Sequence, residues 1–321
     1  MKESVTIGID MGGTNTAFGV VDINGKCVAE GNISTTAYAD IDEYINNLAK
    51  AIKDTFATIS DNYVLVGIGV GAPSGNYRNR SIEESANLPW TGRIPFCDKL
   101  EQIFNIPTYI TNDANAATLG EMIYGGAKGM NDFTMITLGT GLGSGFVANG
   151  RMIYGSNGLA GEFGHVIVVK DGRECGCGRR GCLETYCSAT GVKRTAIELM
   201  GTTNTPSELR NIPYNTLTSK DIAQAAQNGD MLAKQVFEIT GDILGQALAN
   251  SVAMTGPEAI FLMGGLTKAG DLLFTPTQQS LDRNLMFLFK NSVKVLPSAI
   301  KGNVAILGAA ALAWSEINND K

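Results

Sequence analysis

Near its start the chain reads Val5-Thr-Ile-Gly-Ile-Asp-Met-Gly-Gly-Thr-Asn-Thr-Ala-Phe-Gly-Val-Val-Asp-Ile-Asn-Gly-Lys26. Two apolar runs flank a Gly/Thr turn, and Asn-Gly, a strong hairpin signal, follows the second run. The same order returns in Phe133-Thr-Met-Ile-Thr-Leu-Gly-Thr-Gly-Leu-Gly-Ser-Gly-Phe-Val-Ala-Asn-Gly-Arg151. The repetition predicts a duplicated strand-turn-strand unit and two related domains facing each other.

Strands and helices alternate along the rest of the chain. Apolar residues at helical spacing fill 40–59, and 64–70 has the pattern of a buried strand. Further strands are expected at 106–111 and 259–263, and further helices at 114–124, 231–254 and 305–317. This alternation is typical of the α/β class.

The composition is that of a globular protein with a substantial core. The chain has 321 residues, of which 44% are apolar. Its net charge of −6 and the lack of clustered Lys and Arg argue against nucleic acids and anionic membranes as partners. Neither a signal peptide nor a run of about 18 apolar residues is found, so we expect a cytoplasmic protein.

Both turns of the duplicated unit are rich in glycine. In the first, Asp10-Met-Gly12-Gly13-Thr14-Asn15, backbone N–H groups and the Thr14 hydroxyl can converge on an anion. The second turn, Leu138-Gly139-Thr140-Gly141-Leu-Gly-Ser-Gly145, has the same chemistry. One such turn could be a simple tight turn, but two matched turns favour phosphate binding. Neither fits a dinucleotide fingerprint or a Walker A motif.

Three other positions have two interpretations each. Asp10 ends the first strand, where it could hold Mg²⁺ through water or form an Asx turn. Gly264-Gly265 follows a buried strand and could lie flat against a nucleoside or simply turn the chain. Asp113 lies where a strand gives way to a helix. It could cap that helix, or act as a general base for an alcohol that attacks a γ-phosphate.

A cluster of metal-binding residue types lies in the second half of the chain. His165 is the only histidine, and three of the six cysteines, Cys175, Cys177 and Cys182, fall within eight positions. One His and three Cys complete a tetrahedral zinc shell and leave no open position for a catalytic water. We therefore expect a structural zinc, which would fix the loops that carry Glu162 and Glu184. A zinc module with no chemistry nearby is the alternative.

The cysteine pattern fits a reducing compartment. There, clustered cysteines indicate a metal site before disulfides. The other three, Cys27, Cys97 and Cys187, are scattered and are interpreted as small buried apolar residues.

These motifs together resemble those of bacterial sugar kinases of the ROK family, in the actin-like ATPase superfamily. The resemblance spans nearly the whole chain through Asp10-Met-Gly-Gly-Thr-Asn15, Asn112-Asp-Ala-Asn-Ala-Ala117, Gly139-Thr-Gly-Leu-Gly143, Glu162-Phe-Gly-His165 and Cys175-Gly-Cys-Gly-Arg-Arg-Gly-Cys-Leu-Glu184. It implies an α/β fold of two actin-like (ribonuclease H-like) domains with a cleft between them. We expect a small domain at 1–111, on which a helix at 305–321 packs, and a larger domain at 112–304 with a zinc-bound loop at 161–184.

The resemblance also implies an activity, ATP-dependent phosphorylation of a hexose, with glucose as the first choice and glucose 6-phosphate as its product. Asp113 would be the base that activates the sugar hydroxyl on C6. The residues that would bind the sugar are Gly75, Asn87, Asn112, Asp113, Glu162, His165 and Glu184. Those that would bind the cofactors ATP and Mg²⁺ are Asp10, Gly12, Gly13, Thr14, Asn15, Thr140, Gly141 and, near the adenosine, Gly265. The implied zinc ligands are His165, Cys175, Cys177 and Cys182, with one ring nitrogen of His165 on the metal and the other on the sugar. A homodimer is implied as well.

Other functions remain open at this point. N-acetylglucosamine, N-acetylmannosamine, mannose and allose are alternative substrates, since the family binds them with nearly the same residue types. A sugar-responsive repressor is disfavoured because the first phosphate-binding strand begins at about Val5, and an ATPase scaffold because of the zinc cluster. Ser74-Gly75-Asn76 stands where many relatives have Pro-Gly, which puts contacts on that side of the sugar in doubt.

Overall fold

A computed structural model describes residues 2–85 and 87–319. The strands in chain order are β1 (Glu3–Met11), β2 (Asn15–Asp22), β3 (Cys27–Ser34), β4 (Tyr63–Gly71), β5 (Gly75–Asn76), β6 (Ser81–Glu83), β7 (Arg93–Ile94), β8 (Thr108–Thr111), β9 (Phe133–Leu138), β10 (Leu142–Ala148), β11 (Arg151–Met152), β12 (Ala259–Met263) and β13 (Lys294–Pro297). The helices are α1 (Ile41–Ala57), α2 (Phe96–Phe104), α3 (Asp113–Tyr124), α4 (Glu184–Cys187), α5 (Ala189–Thr202), α6 (Ser219–Gln227), α7 (Met231–Thr255), α8 (Asp271–Asn284) and α9 (Val304–Asn319).

The chain divides into two compact units. The first consists of the residues up to 129, of 152–160 and of those from 299 onward, and the second of 130–151 and 161–298. The helix expected at 305–321 is α9, which belongs to the first unit, while 320 and 321 lie outside the described residues. The boundary expected after residue 111 differs from the observed one, because α3 packs against α9. A Cβ on Gly308 in α9 would lie 2.5 Å from the Ala116 carbonyl oxygen in α3.

The first unit is built on a five-stranded sheet in the order β3-β2-β1-β4-β8. The strands β1, β2 and β3 pair antiparallel, whereas β1, β4 and β8 pair parallel. Parallel pairs need a crossover, and α1 and α2 supply it. The side chain of Asp40 caps α1 by accepting a hydrogen bond of 2.9 Å from the backbone N–H of Glu43.

The second unit repeats this plan with β11-β10-β9-β12-β13. The pair β9 and β10 is antiparallel, and β12 pairs parallel with both β9 and β13. Each unit thus starts from a hairpin whose first strand also pairs parallel with a later strand. The duplicated unit predicted from the sequence is confirmed, and so is the α/β class.

Glycines in β1 and β4 allow α9 to lie directly on the first sheet. A Cβ on Gly8 would be 2.1 Å from the Ile306 carbonyl oxygen, and one on Gly69 would be 1.8 Å from that of Ala309. Such distances are impossible for any other residue without moving the helix. The Gly-rich strand pattern therefore reflects close helix packing as well as turn formation.

Each unit has its own apolar core, the first centred on β1, β4, α1 and α2, and the second on α5 to α8 with β9 and β12. Cys97 and Cys187 are buried in these cores as predicted. The prediction for Cys27 is wrong, because it begins the edge strand β3 and is exposed. An edge strand pairs with a neighbouring strand on one side only, so side chains on it can remain open to solvent.

Throughout residues 2–85 and 87–319, no helix combines the length and the apolar character needed to cross a membrane.

Candidate active site

The first glycine-rich turn joins β1 to β2, with Gly12 and Gly13 half-buried and Thr14 and Asn15 exposed. The backbone N–H of Gly12 donates a 2.9 Å hydrogen bond to the Asn15 carbonyl and closes the loop. Gly13 lies against the carbonyl oxygen of Asn87, which would be 2.6 Å from an added Cβ. The loop predicted to hold phosphate and the residue predicted to hold sugar are therefore in backbone contact.

Two of the predicted site carboxylates, Asp10 and Asp113, are near enough for their charges to interact. Burial raises the pKa of Asp10, and the negative charge of Asp113 raises it further. Asp10 lies in β1, next to the loop, and Asp113 begins α3. Such a pair at the mouth of a phosphate loop favours binding of a cation, which would stabilise both charges.

Asn112, not Asp113, is the N-cap of α3. The Asn112 side chain accepts a 2.7 Å hydrogen bond from the backbone N–H of Asn115. Asp113 is the next residue, already in the first helical turn, and its exposed carboxylate accepts a 2.9 Å hydrogen bond from the backbone N–H of Ala114. The capping interpretation of Asp113 is wrong, because the preceding amide does that work. Asp113 Oδ1 accepts from the N–H of Ala114, and the exposed carboxylate can also accept a proton.

The Gly75 loop is held against the end of β8. A Cβ on Gly75 would lie 2.4 Å from the Thr111 carbonyl oxygen, so this loop approaches the residue just before Asn112. Ser74 has φ +56°. This is the left-handed region, which a residue other than glycine rarely adopts, so the loop is sharply turned just before Gly75. The first unit thus brings together the loop 12–15, Gly75, Asn87, Asn112 and the two carboxylates.

In the second unit, the second glycine-rich turn contacts Glu184. The backbone N–H of Leu142 donates a 3.2 Å hydrogen bond to Glu184 Oε2. The same oxygen would be 2.5 Å from a Cβ on Gly141. The glycine is therefore needed for Glu184 to reach the loop, which joins a predicted phosphate residue to a predicted sugar residue.

We expect Gly141→Ala to raise the KM for the sugar about ten-fold with a change in unfolding free energy of under about 1 kcal/mol. The added methyl group displaces the flexible end of Glu184, so the fold adjusts while the predicted sugar contact of Glu184 is lost. Steady-state kinetics and thermal unfolding measure the two effects. The control is Gly201→Ala in α5, where an added Cβ meets no atom within 4 Å. A sugar KM equal to the unmodified protein's would show that Glu184 does not bind the acceptor.

His165 lies between two of the predicted sugar residues. Its Nδ1 is 3.5 Å from the Cys175 sulfur and 3.9 Å from Glu184 Oε1. Its Nε2 is 3.9 Å from Glu162 Oε2. Nδ1 therefore faces Cys175 and Glu184, and Nε2 faces the Glu162 carboxylate. That one nitrogen binds zinc and the other the sugar stays a prediction.

The four predicted zinc ligands converge. The ligand atoms of His165, Cys175, Cys177 and Cys182 all lie within 4.8 Å of one another, and the Cys177 and Cys182 sulfurs are 3.6 Å apart. Zinc with bonds of about 2.3 Å to sulfur and about 2.0 Å to nitrogen needs edges of about 3.8 Å and about 3.5 Å, respectively. The donor set and spacing therefore fit a tetrahedral Zn²⁺.

Two of the thiols differ in charge preference. A hydrogen bond from the backbone of Arg179 lowers the pKa of Cys177, and one from its side chain contributes less; the pKa falls to about 6. Burial raises the pKa of Cys175 to about 12. A Zn²⁺ ion offsets the second effect because it deprotonates a coordinating thiol.

Arg173, which the sequence did not single out, joins the zinc loop to α4 and α5. Its side chain is only 8% exposed. It donates 2.6 Å and 3.1 Å hydrogen bonds to the carbonyls of Thr185 and Gly191 and lies over the Tyr186 ring. It thereby anchors the helix that Glu184 begins.

A cavity of about 530 Å³ lies in the second unit. Its walls come from the second glycine-rich turn, from the segment that follows Gly264 and from one face of α6. The lining residues are Leu138, Gly139, Thr140, Ala189, Ser219, Lys220, Ala223, Gln224, Gln227, Gly265, Leu266, Lys268 and Ala269. Its size suits a small organic ligand. Thr140 and Gly265 are thus brought together as predicted, whereas the α6 residues were missed. A polar helix face carries no signal that separates it from an ordinary solvated surface.

The sequence profile of the ROK family matches residues 6–316. The chain belongs to the ROK family. It is 34% identical to the glucokinase of Halalkalibacterium halodurans, over 99% of this chain and 98% of that protein. It is 31% identical to the glucokinase of Thermotoga maritima, over 97% and 98% of the two chains. The structure of a ROK family glucokinase from Streptomyces griseus in complex with glucose and AMPPNP is similar, with 33% identity, a TM-score of 0.75, and 97% and 99% of the two chains covered.

Proposed function

We propose that this ROK protein is an ATP-dependent hexose kinase that converts glucose to glucose 6-phosphate. The observation that carries the proposal is the exposed Asp113 carboxylate, which Asn112 frees from capping α3 beside Asp10 and the loop 12–15. Support for glucose and ATP comes from the full-length similarity to glucokinases, one of which binds glucose and AMPPNP.

Asp113 is the general base of the proposed reaction. Its carboxylate takes the proton of the C6 hydroxyl as the hydroxyl oxygen forms a bond to the γ-phosphorus of ATP. The bond from that phosphorus to the bridging oxygen breaks, and ADP leaves. Asp10 would hold Mg²⁺ through water, and a bound ion would supply positive charge to offset that of the phosphates.

We assign the phosphates to the two glycine-rich loops and the adenosine to the cavity. The backbone of Gly12, Gly13, Thr14 and Asn15, and that of Thr140 and Gly141, would bind the phosphates. The cavity beside Gly265 would hold the adenosine, with α6 on one side.

Ala223→Trp tests the assignment of the cavity. The indole would fill much of the space in front of α6, so we expect the KM for ATP to rise at least about ten-fold. The KM for glucose should stay within about two-fold, because no predicted sugar residue lines the cavity. Both constants come from initial rates with the other substrate saturating. An unchanged KM for ATP would place the adenosine elsewhere.

The residues proposed to bind the sugar are those that the resemblance implies: Gly75, Asn87, Asn112, Asp113, Glu162, His165 and Glu184. The zinc ion would hold His165 and the loop between Glu162 and Glu184 in place. The three-thiolate site suits the cytoplasm, where thiols stay reduced. The homodimer remains a prediction from the resemblance.

The experiment that tests the function is ADP release measured with glucose, mannose, allose, N-acetylglucosamine and N-acetylmannosamine. We expect the highest kcat/KM with glucose. A higher value for an N-acetylhexosamine would change the substrate and keep the reaction class. Absence of ADP release with every sugar would refute the kinase.

A further inference from the structure

A chain of three buried hydroxyls lies beneath the first phosphate loop. Thr16 in β2, Thr35 after β3 and Tyr44 in α1 are all 0% exposed. The Thr16 and Thr35 hydroxyl oxygens are 2.9 Å apart, and the Thr16 and Tyr44 oxygens are 2.6 Å apart. Thr35 donates the third bond, of 2.8 Å, to the Gly12 carbonyl. Three elements of the first unit thus meet under one loop.

The direction of these bonds follows from the count of hydrogens. Each hydroxyl has one hydrogen, and a carbonyl can only accept. Because Thr35 gives its hydrogen to Gly12, it must accept from Thr16, and Thr16 must accept from Tyr44. Only this arrangement satisfies all three bonds.

Thr35 holds the phosphate loop at two points. Besides its bond to Gly12, its backbone N–H donates a 2.8 Å hydrogen bond to the Thr14 carbonyl. The described peptide bonds are trans, so the N–H of each peptide points away from its C=O. Fixing the carbonyls of Gly12 and Thr14 toward Thr35 therefore turns the N–H groups of Gly13 and Asn15 away from it. Those two N–H groups belong to the predicted phosphate cradle.

Tyr44, the last of the three hydroxyl-bearing residues, also contacts the segment 87–90, which contains the predicted sugar residue Asn87. The Tyr44 ring packs on Trp90, with 4.5 Å between ring centroids. Trp90 closes the segment that begins with Asn87, whose carbonyl oxygen lies against Gly13. Tyr44 therefore supports the phosphate loop through its hydroxyl and the sugar loop through its ring.

We propose that Thr35 and Tyr44 are positioning residues, in which the hydroxyl chain sets the N–H groups of the phosphate loop and the Tyr44 ring sets the Asn87 segment. The inference rests on the proposed kinase function. It predicts that the hydroxyl of Tyr44 affects the binding of ATP and that its ring affects the binding of glucose. A merely structural role would not separate the two effects.

The first test is Thr35→Val, which leaves the Gly12 carbonyl without its donor. We expect the KM for ATP and the Kd for AMPPNP to rise about ten-fold, with the KM for glucose within about two-fold. Thr35→Ser keeps the hydroxyl and should restore both constants. The matched control is Thr6→Val in β1, because the buried Thr6 hydroxyl has no hydrogen-bond partner among residues 2–85 and 87–319. Thr6→Val should leave all constants unchanged.

The second test separates the hydroxyl of Tyr44 from its ring. Tyr44→Phe removes only the last donor, and the bond from Thr35 to Gly12 remains, so we expect no more than about a three-fold rise in the Kd for AMPPNP. Tyr44→Leu also removes the support of Trp90, and here the Kd for glucose should rise about ten-fold. Because these variants retain Thr35, they test the proposal even if Thr35→Val does not fold.

Calorimetry measures both dissociation constants without turnover. Wild-type AMPPNP affinity in Thr35→Val, or equal glucose affinity in Tyr44→Phe and Tyr44→Leu, would overturn the positioning roles. If the unmodified protein binds glucose and AMPPNP but releases no ADP, the kinase function fails and the positioning test still stands. If it binds neither ligand, both proposals fail.

Discussion

Asp113→Asn is expected to lower kcat with glucose by about 10²- to 10⁴-fold. The amide keeps the size of the carboxylate but cannot take the proton of the sugar hydroxyl. The Asn112 cap of α3 does not involve Asp113, so the helix should start at the same residue. The KM for ATP and the Kd for glucose should therefore stay within about three-fold, as measured by initial rates and calorimetry.

The control for this variant is Asp271→Asn. Asp271 is also an exposed first residue of a helix, α8, and does not line the cavity. It tests the loss of a negative charge at a helix N-terminus, an effect of under about 1 kcal/mol. Asp113→Asn with the same kcat as Asp271→Asn would remove Asp113 as the base.

Loss of the zinc site should have the second large effect. In Cys182→Ser we expect zinc to fall from about one ion per chain to a small fraction, because a hydroxyl is a poor replacement for thiolate. Cys182 is 0% exposed, so water cannot readily take the place of the lost metal bond there. His165 and Glu184 then lose their support, and the KM for glucose should rise about 10- to 100-fold.

Elemental analysis, thermal unfolding and glucose kinetics measure these changes. Cys97→Ser is the control, since Cys97 is equally buried but lies in the first unit, apart from the cluster. It should keep its zinc and its KM for glucose, even where it unfolds at a lower temperature. Full zinc occupancy in Cys182→Ser would contradict the assigned ligand set. An unchanged KM for glucose in the zinc-free variant would separate the metal from substrate binding.

The duplicated strand-turn-strand unit and the α/β class were readable from the sequence because local signals agree with them, whereas the strand order of the two sheets was not predicted. The Asn-Gly hairpins, the two Gly/Thr turns and the alternating strands and helices each restrict the chain in the same way. The role of Gly8 and Gly69 could not be predicted from local patterns. They admit α9, more than two hundred residues away in the chain, and only tertiary contact reveals that.

The part of the candidate site that could be predicted is the part where the residue types allow few kinds of chemistry. Three cysteines and one histidine have few uses other than zinc, and their ligand atoms do converge. The dual interpretation of Asp113 could not be resolved, since Asn112 and Asp113 are both good capping residues and the choice depends on backbone angles.

The remaining parts of the site have no sequence signature. The polar face of α6 resembles any solvated helix, and Thr35 and Tyr44 resemble ordinary core residues. Their importance lies in which groups they reach across the fold. For Thr35 this is the pair of carbonyls in the predicted phosphate loop, which lie 23 and 21 residues earlier in the chain.

The most direct measurement of the central claim is ³¹P NMR of the purified protein with ATP, Mg²⁺ and glucose. The account predicts that the γ-phosphate signal disappears while glucose 6-phosphate and ADP form in equal amounts, and that ATP stays intact when the sugar is left out. ATP that persists with glucose and with every alternative hexose, or that decays to ADP and inorganic phosphate without a sugar phosphate, would contradict it.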